Sequence, residues 1–206
     1  MTTAKNPNRK IIKDKDFELI QAINSGQYDL FHDLVKRYEQ KLYNFSLRMC
    51  RNPSDAEDMV QETFLNVFRY LKDFRHETKF KNWLYRIAAS SCLKKRRKSK
   101  FAPERELSLE EFIPKDEAEA QTQTPDWALM PLEKLLNAEL SEMVHQAILS
   151  LPEKYRMVIV LRDIEGFSTA EAAQILGLSA SNIKVRLHRA RLFLREKMKG
   201  YFEHAE

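Results

Sequence analysis

Apolar residues recur every three or four positions along two long parts of this chain, with polar residues between them. This spacing is typical of amphipathic helices, and no strand-like alternation interrupts it. The pattern predicts four helices within residues 14–100 and several shorter ones within residues 132–206. Residues 1–13 form a basic arm that we expect to be mobile, and residues 101–131 lack the periodicity. We therefore expect an all-α protein of two small helical domains joined by a linker.

The first two predicted helices have recognisable ends. Asp14 or Asp16 lies near the start of the first helix, and Gly26 follows its last turn. A longer helix runs from about residue 28 to residue 50, and Asn52-Pro53 ends it. Each helix has an apolar stripe that we assign to the core. The stripe residues are Phe17, Ile20, Ile23, Leu30, Phe31, Leu34, Val35, Tyr38, Leu42, Phe45 and Met49.

The third predicted helix has an acidic outer face. Ser54 and Glu57 have the spacing of a capping box, which predicts a helix start at Asp55. The apolar stripe of this helix comprises Ala56, Val60, Phe64, Val67 and Leu71. The residues that lie mostly off the stripe, and therefore outside the core, are Asp55, Asp58, Gln61 and Glu62.

The fourth predicted helix combines aromatic rings with positive charges. Thr78 is placed to cap it, and a basic run at residues 94–100 complements the dipole at its C-terminus. One interpretation is a solvated helix end with an aromatic core face. The other is contact with single-stranded nucleic acid, because bases stack on rings while cations follow phosphates. Trp83 and Tyr85 point to different sides, so part of the aromatic set should lie outside the core.

Three stretches of this domain together resemble region 2 of bacterial RNA polymerase sigma factors: DAEDMVQETFLNVFRYL, FRHETKFKNWLYRIAAS and the basic tail. The resemblance is to the short extracytoplasmic-function type of the sigma-70 family. In that family, region 2 binds a coiled coil of the largest polymerase subunit and captures the melted −10 promoter element. The resemblance implies polymerase contacts from Asp55, Asp58, Gln61 and Glu62. It implies −10 contacts from Arg75, Lys79, Trp83, Tyr85, Arg86, Ser90, Lys94 and Arg97.

Ser90 departs from the family pattern, which commonly has an asparagine just after the WLYRIA motif. In the family this asparagine helps to form the pocket for a flipped-out promoter base. Serine still donates and accepts a hydrogen bond, but its side chain is shorter. The sequence therefore leaves open which promoter base is selected at this position and how easily the promoter melts.

The second domain contains the pattern of a helix-turn-helix. Pro152 suits the first turn of one helix, and Ser168 and Glu171 have capping-box spacing before a short helix. Gly177 then makes a turn, and Ser179 caps a longer basic helix. Such a pair of helices places the first turns of the second helix in the DNA major groove.

On the final helix, we expect Lys184 and His188 to read base edges, because they are four residues apart on one face. The alternative for His188 is a surface histidine with no partner. The core positions should be Ile183, Leu187, Ala190 and Leu194, and the outward face Ser181, Lys184, Val185, His188 and Arg191. The expected phosphate contacts are Asn182, Arg186, Arg189 and Arg191. The segment from residue 151 to residue 198 is similar to sigma region 4, which implies that all eight residues from Ser181 to Arg191 named here meet the −35 element.

The net charge of +5 is unevenly distributed. Residues 1–100 carry 22 Lys and Arg against 12 Asp and Glu, a net of +10. Residues 101–138 carry 3 against 9, or −6, and residues 139–206 carry 10 against 9, or +1. The acidic linker is either a solubilising spacer or, as the resemblance implies, a tether along the polymerase cleft and RNA-exit path.

Several classes of protein are not indicated. No nucleophile–base pair, phosphate-binding glycine loop or clustered set of metal ligands is present, so we expect neither an enzyme nor a cofactor. Cys50 and Cys92 are too few for a disulfide scaffold and fit small buried residues in a reducing cytosol. No membrane-spanning run or signal peptide is found, so we expect a cytoplasmic protein without membrane insertion.

The function expected is that of a sigma factor that directs core RNA polymerase to a dedicated set of promoters. Its expected partners are the coiled coil and flap of that polymerase, promoter DNA and an anti-sigma factor, which could hold it at the membrane. Two alternatives remain open. A stand-alone regulator with an unrelated helical sensor would bind duplex DNA without polymerase and would not need Glu62. A sigma mimic that sequesters partners would have a final helix unable to read DNA.

Overall fold

The computed structural model describes residues 11–50, 52–98 and 138–203. Every regular element in these ranges is helical, which confirms the all-α prediction. The predicted linker at residues 101–131, with its expected turn near residues 107–112, lies outside the described residues, as do residues 1–10. The helices are α1 (Phe17–Asn24), α2 (Phe31–Met49), α3 (Pro53–Tyr70), α4 (Phe80–Lys98), α5 (Ala138–Ser150), α6 (Glu153–Ile159), α7 (Thr169–Leu176) and α8 (Ala180–Glu203).

Helices α1 to α4 form the first unit, which surrounds an apolar core. The predicted stripes supply most of that core, because a residue on the stripe returns to the inner face about once per helical turn. A short 3₁₀ turn, Tyr28–Leu30, leads into α2, and another, Leu71–Asp73, follows α3. Fully buried core residues include Ile20, Leu34, Leu42, Phe45, Met59, Val67, Phe80 and Leu84.

The start of α3 differs from the prediction. The helix begins at Pro53, and Asn52 is its N-cap, with a side-chain oxygen that accepts from the Asp55 amide at 2.7 Å. A residue before proline favours extended backbone, which suits an N-cap, and proline at the first helical position loses no hydrogen bond. The capping box predicted from Ser54 and Glu57 is therefore wrong.

The start of α4 also differs from the prediction. This helix begins at Phe80, two residues after Thr78, and the Phe80 amide donates to the Asp14 carboxylate at 2.6 Å. A carboxylate at a helix N-terminus complements the helix dipole. The expected Thr78 cap is thus replaced by a residue from the other end of the unit. In the same region, the Ile12 amide donates to the His76 carbonyl at 2.8 Å.

Helices α5 to α8 form the second unit, which contains the predicted helix-turn-helix. Helix α6 ends in one π-helical turn, Val160–Ile164. The capping box of Ser168 and Glu171 at the start of α7 is confirmed in both directions. Gly177 has a φ of 66°, as the predicted left-handed turn requires, and the Ser179 hydroxyl accepts from the Asn182 amide at 3.2 Å.

The two units pack against each other, and Arg156 of α6 lies buried in their junction. Its guanidinium donates to the carbonyls of Leu149 and Leu151 in the second unit and to that of Met49 in the first, at 2.7 to 3.2 Å. Since Met49 is the last residue of α2, this cation also complements the dipole of that helix. Nearby, Cys92 is buried and Cys50 half-buried, and no disulfide joins them.

Candidate nucleic-acid and polymerase interface

The outer face of α3 carries the predicted acidic set. Asp58, Gln61 and Glu62 are exposed, and Asp55 is half-buried beside the Asn52 amide. The opposite face packs into the core through Ala56, Met59, Phe64 and Val67. The predicted separation of a buried stripe from an anionic face is therefore confirmed.

Two large apolar side chains lie exposed on the same helix. Leu65 is 65% exposed and Phe68 is 50% exposed. The Phe68 ring packs edge-on against Phe31 at 5.0 Å and against Tyr28 at 6.4 Å between ring centroids. Helix α3 thus presents acidic and apolar side chains together, a combination that suits a protein partner better than DNA.

The aromatic residues of α4 lie deeper than the sequence predicts. Phe80 and Tyr85 are fully buried, and Trp83 is half-buried with its ring 4.9 Å from that of Phe74. We expected part of the aromatic set to lie outside the core, but Tyr85 does not, because a second layer of protein covers it. Arg75, Arg86 and Ser90 are exposed, whereas the side chains of Lys94 and Arg97 lie outside the described residues.

Residues of the second unit form the layer over Tyr85. The Tyr85 ring packs edge-on between Phe45 of α2, at 5.1 Å, and Phe167 of the turn between α6 and α7, at 4.9 Å. Its hydroxyl donates to the Glu165 carboxylate at 2.5 Å. Burial, together with the neighbouring Glu165 charge, raises the pKa of Tyr85. The phenol therefore stays neutral and acts as a donor.

Lys81 connects the same two surfaces. Its ammonium donates to the Glu165 carbonyl oxygen at 2.9 Å and lies 4.1 Å from the centroid of the Phe167 ring. That distance is well within the range of a cation–π contact. Burial lowers the pKa of Lys81, although the Glu165 charge opposes this effect.

Glu171, the capping residue of α7, makes the second polar contact across the junction. Its carboxylate accepts from the Lys79 ammonium at 3.1 Å and from the Asn82 amide at 3.4 Å. Partial burial works to raise the pKa of Glu171, but hydrogen bonds from Ser168, Lys79 and Asn82 outweigh it and lower the pKa to about 2. Lys79, an expected −10 contact, is thus held by an intramolecular ion pair.

The loop before α4 is fixed by a histidine in an unusual conformation. His76 has a φ of 55°, and its ring packs 4.6 Å from Phe17 and 4.7 Å from Phe74. Burial lowers the pKa of His76. A non-glycine residue in the left-handed region has a conformational cost, which the packing of the two phenylalanines compensates. The exposed Arg75 is presented from this constrained loop.

Helix α8 has the predicted arrangement of core and surface over most of its length. The predicted core positions Ile183, Leu187, Ala190 and Leu194 are all buried. The exposed residues of its first turns are Ser181, Asn182, Lys184 and Val185, and the half-buried ones that follow are Arg186, His188 and Arg189. The proposed base readers Lys184 and His188 lie one turn apart on the side away from this core.

Arg191 does not belong to that open face. Its guanidinium makes two hydrogen bonds to the Asp163 carboxylate, at 2.8 and 2.9 Å, and its side chain is 20% exposed. The hydrogen bond to Asp163 raises the pKa of Arg191. The expectation that Arg191 points outward is therefore wrong, since the bidentate pair ties α8 to the π-helical turn after α6.

The residues that join the two units were mostly not predictable from the sequence. Lys81 lies within the basic and aromatic run and could have been included in it. Glu165, Phe167 and Arg156 have no local signal, because their partners lie 80 to 107 residues away along the chain. Only a prediction of how the units pack would have identified them.

In the part of the chain that the structure describes, no helix is long and apolar enough to cross a membrane. The same residues contain no group of three or more His, Cys, Asp or Glu side chains arranged to hold a metal ion.

Comparison with known proteins supports both units. The Sigma-70 region 2 family model matches residues 34–102, and the Sigma-70, region 4 model matches residues 141–194. The ECF RNA polymerase sigma factor SigW of Bacillus subtilis is 34% identical over 180 residues, which cover 87% of this chain and 95% of the relative. The ECF RNA polymerase sigma-E factor of Salmonella typhimurium strain LT2 is 32% identical, with 85% and 90% covered.

Solved structures show the same architecture. The structure of CnrH in complex with the cytosolic domain of CnrY matches with a TM-score of 0.64 and 27% identity, over 91% of this chain and 99% of that one. The sigma factor RpoE in complex with the anti-sigma factor NepR from Bartonella quintana matches in fold, with a TM-score of 0.58, 22% identity, and 82% and 96% covered. The chain therefore belongs to the extracytoplasmic-function RNA polymerase sigma factors, which are promoter-specific transcription initiation factors rather than enzymes.

Proposed function

We propose that this sigma factor uses three separate surfaces to bring core RNA polymerase to a promoter. The acidic face of α3 binds polymerase, α4 with the preceding loop captures the −10 element, and the first turns of α8 read the −35 element. The observation that best supports the proposal is the exposed row of Asp58, Gln61 and Glu62 opposite a buried apolar stripe, in a chain that carries both sigma regions.

The polymerase contact combines charge with apolar area. Asp55, Asp58, Gln61 and Glu62 offer acceptors to basic side chains on the coiled coil of the largest subunit. Leu65 and Phe68, on the same helix, add apolar surface that is lost from water when a helical partner covers it. The flap of the polymerase would bind the second unit, which keeps the two DNA-reading helices apart on the enzyme.

The −10 contact rests on rings and cations of α4 and of the loop before it. Trp83 offers a face for a base to stack on, and exposed Arg75 and Arg86 are placed to meet phosphates. Ser90 stands where the family has an asparagine, so the hydrogen-bonding group offered to a flipped base reaches less far here. The further −10 residues proposed are Lys79, Tyr85, Lys94 and Arg97.

The −35 contact uses the exposed start of α8. Lys184 and His188 face the base edges, with Ser181 and Val185 beside them. Asn182, Arg186 and Arg189 bind phosphates and set the position of the helix in the groove. This cationic open face is what a sigma mimic unable to read DNA would lack.

We also propose an anti-sigma partner. Of the structural relatives above, CnrH was solved with the cytosolic domain of CnrY bound, and RpoE was solved with the anti-sigma factor NepR bound. A protein that works on chromosomal DNA acts in the cytoplasm, and a membrane-anchored partner could hold it there at the membrane surface.

The proposal is tested by run-off transcription with core polymerase on a pool of genomic promoter fragments, with and without this chain. New start sites that depend on the chain support it, and a complete lack of them contradicts it.

For the polymerase face, Glu62→Lys should abolish retention of core polymerase in a pull-down while circular dichroism stays unchanged, because the substitution reverses a charge at the centre of the contact. The matched control is Glu196→Lys, an equal charge change on an exposed part of α8. Normal retention by the Glu62 variant would count against the assigned face.

A further inference from the structure

The loop that precedes α4 is fixed by a short segment at the other end of the first unit. We call residues 12–17 the clasp and residues 74–79 the −10 loop. The Ile12 amide of the clasp donates to the His76 carbonyl of the loop at 2.8 Å, and the Phe17 ring lies 4.6 Å from the His76 ring. The clasp therefore contacts the −10 loop through both backbone and side chain.

Asp14 joins the clasp to the first turn of α4. One oxygen of its carboxylate accepts from the Phe80 amide at 2.6 Å, and the other accepts from the Asp16 amide at 3.1 Å. The first amide of a helix has no acceptor within its own helix, so Asp14 takes the place of a local N-cap. Because two backbone amides bind the same carboxylate, its orientation is fixed.

The clasp is in turn anchored to α2. Asp16 is fully buried, and its carboxylate accepts from the Tyr38 hydroxyl and from the Arg37 guanidinium, each at 2.5 Å. Hydrogen bonds to an ionised carboxylate are among the stronger ones in proteins. The position of the clasp is therefore set by the core of the first unit, and the clasp transmits that position to the −10 loop.

The −10 loop itself has little freedom to move within this frame. His76 adopts the left-handed conformation, with a φ of 55°, and its ring packs between Phe17 of the clasp and Phe74 of the loop. A non-glycine residue keeps such a conformation only where the surrounding structure imposes it. The exposed Arg75, one of the proposed −10 contacts, lies between Phe74 and His76 and shares their fixed backbone.

We infer that Asp14 is a positioning residue for capture of the melted −10 strand. By binding the first amide of α4 it fixes the start of that helix relative to the −10 loop, and so sets the distance between Arg75 on the loop and Trp83 one turn into the helix. The inference depends on the proposed role of α4 and the preceding loop in −10 capture. It adds a residue that acts through the backbone of that surface.

The physical reason is the cost of ordering a binding surface. Side chains that become fixed only when a ligand binds lower the affinity by the entropy they lose. A helix end that loses its cap frays, and a loop that loses its anchor samples other conformations. Without Asp14, the melted strand would have to order this surface itself. The acidic face of α3 and the start of α8 do not depend on the clasp, so they serve as internal controls.

The test compares the wild type with three full-length variants and a matched control. Asp14→Ala removes both acceptors, Asp14→Asn keeps one oxygen for the Phe80 amide, and Tyr38→Phe removes one anchor of Asp16 while keeping the ring. Glu196→Ala also removes one negative charge, at an exposed position of α8.

The assay uses core polymerase and a promoter fragment recovered from the run-off pool. Permanganate oxidation of unpaired thymines gives the rate of −10 melting. Pull-down of polymerase and binding of a duplex with the same −35 element report the other two surfaces. Hydrogen exchange of the peptide covering residues 74–83 reports whether the loop and the helix start are ordered, and circular dichroism reports folding.

We expect Asp14→Ala to lower the melting rate about fivefold, a factor typical of the loss of one helix N-cap, and to speed exchange in residues 74–83. Polymerase retention and −35 binding should change by less than about twofold. Asp14→Asn should restore most of the melting rate, Tyr38→Phe should act like Asp14→Ala by a smaller factor, and Glu196→Ala should match the wild type. Loss of an acidic charge by itself favours DNA binding, so slower melting is opposite in sign to a simple charge effect.

The inference is overturned if Asp14→Ala melts the promoter as fast as Glu196→Ala, or if exchange in residues 74–83 is unchanged. It is also overturned if polymerase retention and −35 binding fall as much as melting, which would indicate a general loss of structure. If Asp14→Ala does not fold, Tyr38→Phe decides the matter by the same criteria. Failure of the proposed function gives a different result, because the wild type itself then produces no start sites, whereas failure of this inference leaves them intact.

Discussion

Helices α4 and α8 are both basic and both proposed to contact promoter DNA, yet they differ in how far their proposed contact residues are exposed to solvent. In α4, Tyr85 is fully buried and Lys81 half-buried beneath residues of the second unit. In α8, Ser181, Lys184 and Val185 are exposed to solvent. The presence of cations on a helix therefore does not determine whether that helix is available to a ligand.

The difference follows from what each helix is proposed to bind. A surface for unpaired bases needs flat rings. Removing such rings from water is favourable, so they also pack on other rings, including those of the same chain. A surface for duplex DNA needs hydrogen-bonding groups at base edges and phosphates, which water already solvates well. Packing against another part of the same chain is therefore favoured at α4 and not at the start of α8.

The largest effect expected comes from removing the buried tie between the units. Arg156→Ala should lower the free energy of unfolding by about 3 kcal/mol, because it leaves a cavity and the carbonyls of Met49, Leu149 and Leu151 without their donor. Urea unfolding followed by circular dichroism measures this change. The control Arg195→Ala, at an exposed position of α8, should change stability by less than about 0.5 kcal/mol. An unchanged urea midpoint for the Arg156 variant would show that the junction is not held there.

The next effect concerns the open helix. Lys184→Ala should weaken duplex binding by about 1–3 kcal/mol at particular −35 bases and by little on other sequences, because a base contact is lost. Arg189→Ala should weaken binding to all sequences about equally and reduce its salt dependence, as expected for a phosphate contact. Competition binding against a set of −35 variants separates the two patterns. A uniform loss for Lys184→Ala would move Lys184 into the phosphate class.

Much of each unit was predictable, because the information lies close together in the sequence. The helical stripes, the capping box of Ser168 and Glu171, the Gly177 turn and the buried row beginning at Ile183 all depend on residues within one or two turns of each other. These local patterns also carried the family resemblance, which the comparisons confirm. The acidic face of α3 followed from the same periodicity.

The failed predictions have a common physical cause. Asp14, rather than Thr78, bonds the first amide of α4 from 66 residues away, and Phe167 and Glu165 cover Tyr85 from about 80 residues away. Such contacts are set by how helices pack, which periodicity within one helix does not encode. The start of α3 is an exception, since Asn52-Pro53 was a local signal that competed with Ser54 and Glu57 for the cap.

A smaller effect is expected from the ion pair between Arg191 of α8 and Asp163 of the π-helical turn. Its measurement shows whether Arg191 mainly stabilises the fold or mainly contacts DNA. Asp163→Ala and Arg191→Ala should each lower the free energy of unfolding by about 1–2 kcal/mol, and the double variant should lose little more than either single one, because both remove the same ion pair. Thermal unfolding of the four proteins gives this cycle. If Arg191 were mainly a phosphate contact, only Arg191→Ala would weaken duplex binding, and the two stability losses would differ.

The smallest effect is the pH dependence of stability that Glu171 produces at the junction of the two units. The pKa of Glu171 is about 2 in the folded protein against an ordinary value of 4.5, so its folded state favours the charged carboxylate. The stabilisation from this group is fully present above about pH 4.5 and is lost as the pH falls toward 2. Because the carboxylate is a quarter exposed and screened by solvent, we expect less than about 1 kcal/mol. The difference in unfolding free energy between the wild type and Glu171→Gln should therefore be constant from pH 7 to 5 and shrink below that. A difference that does not change down to the acid limit would mean that the hydrogen bonds from Ser168, Lys79 and Asn82 serve the neutral side chain equally well.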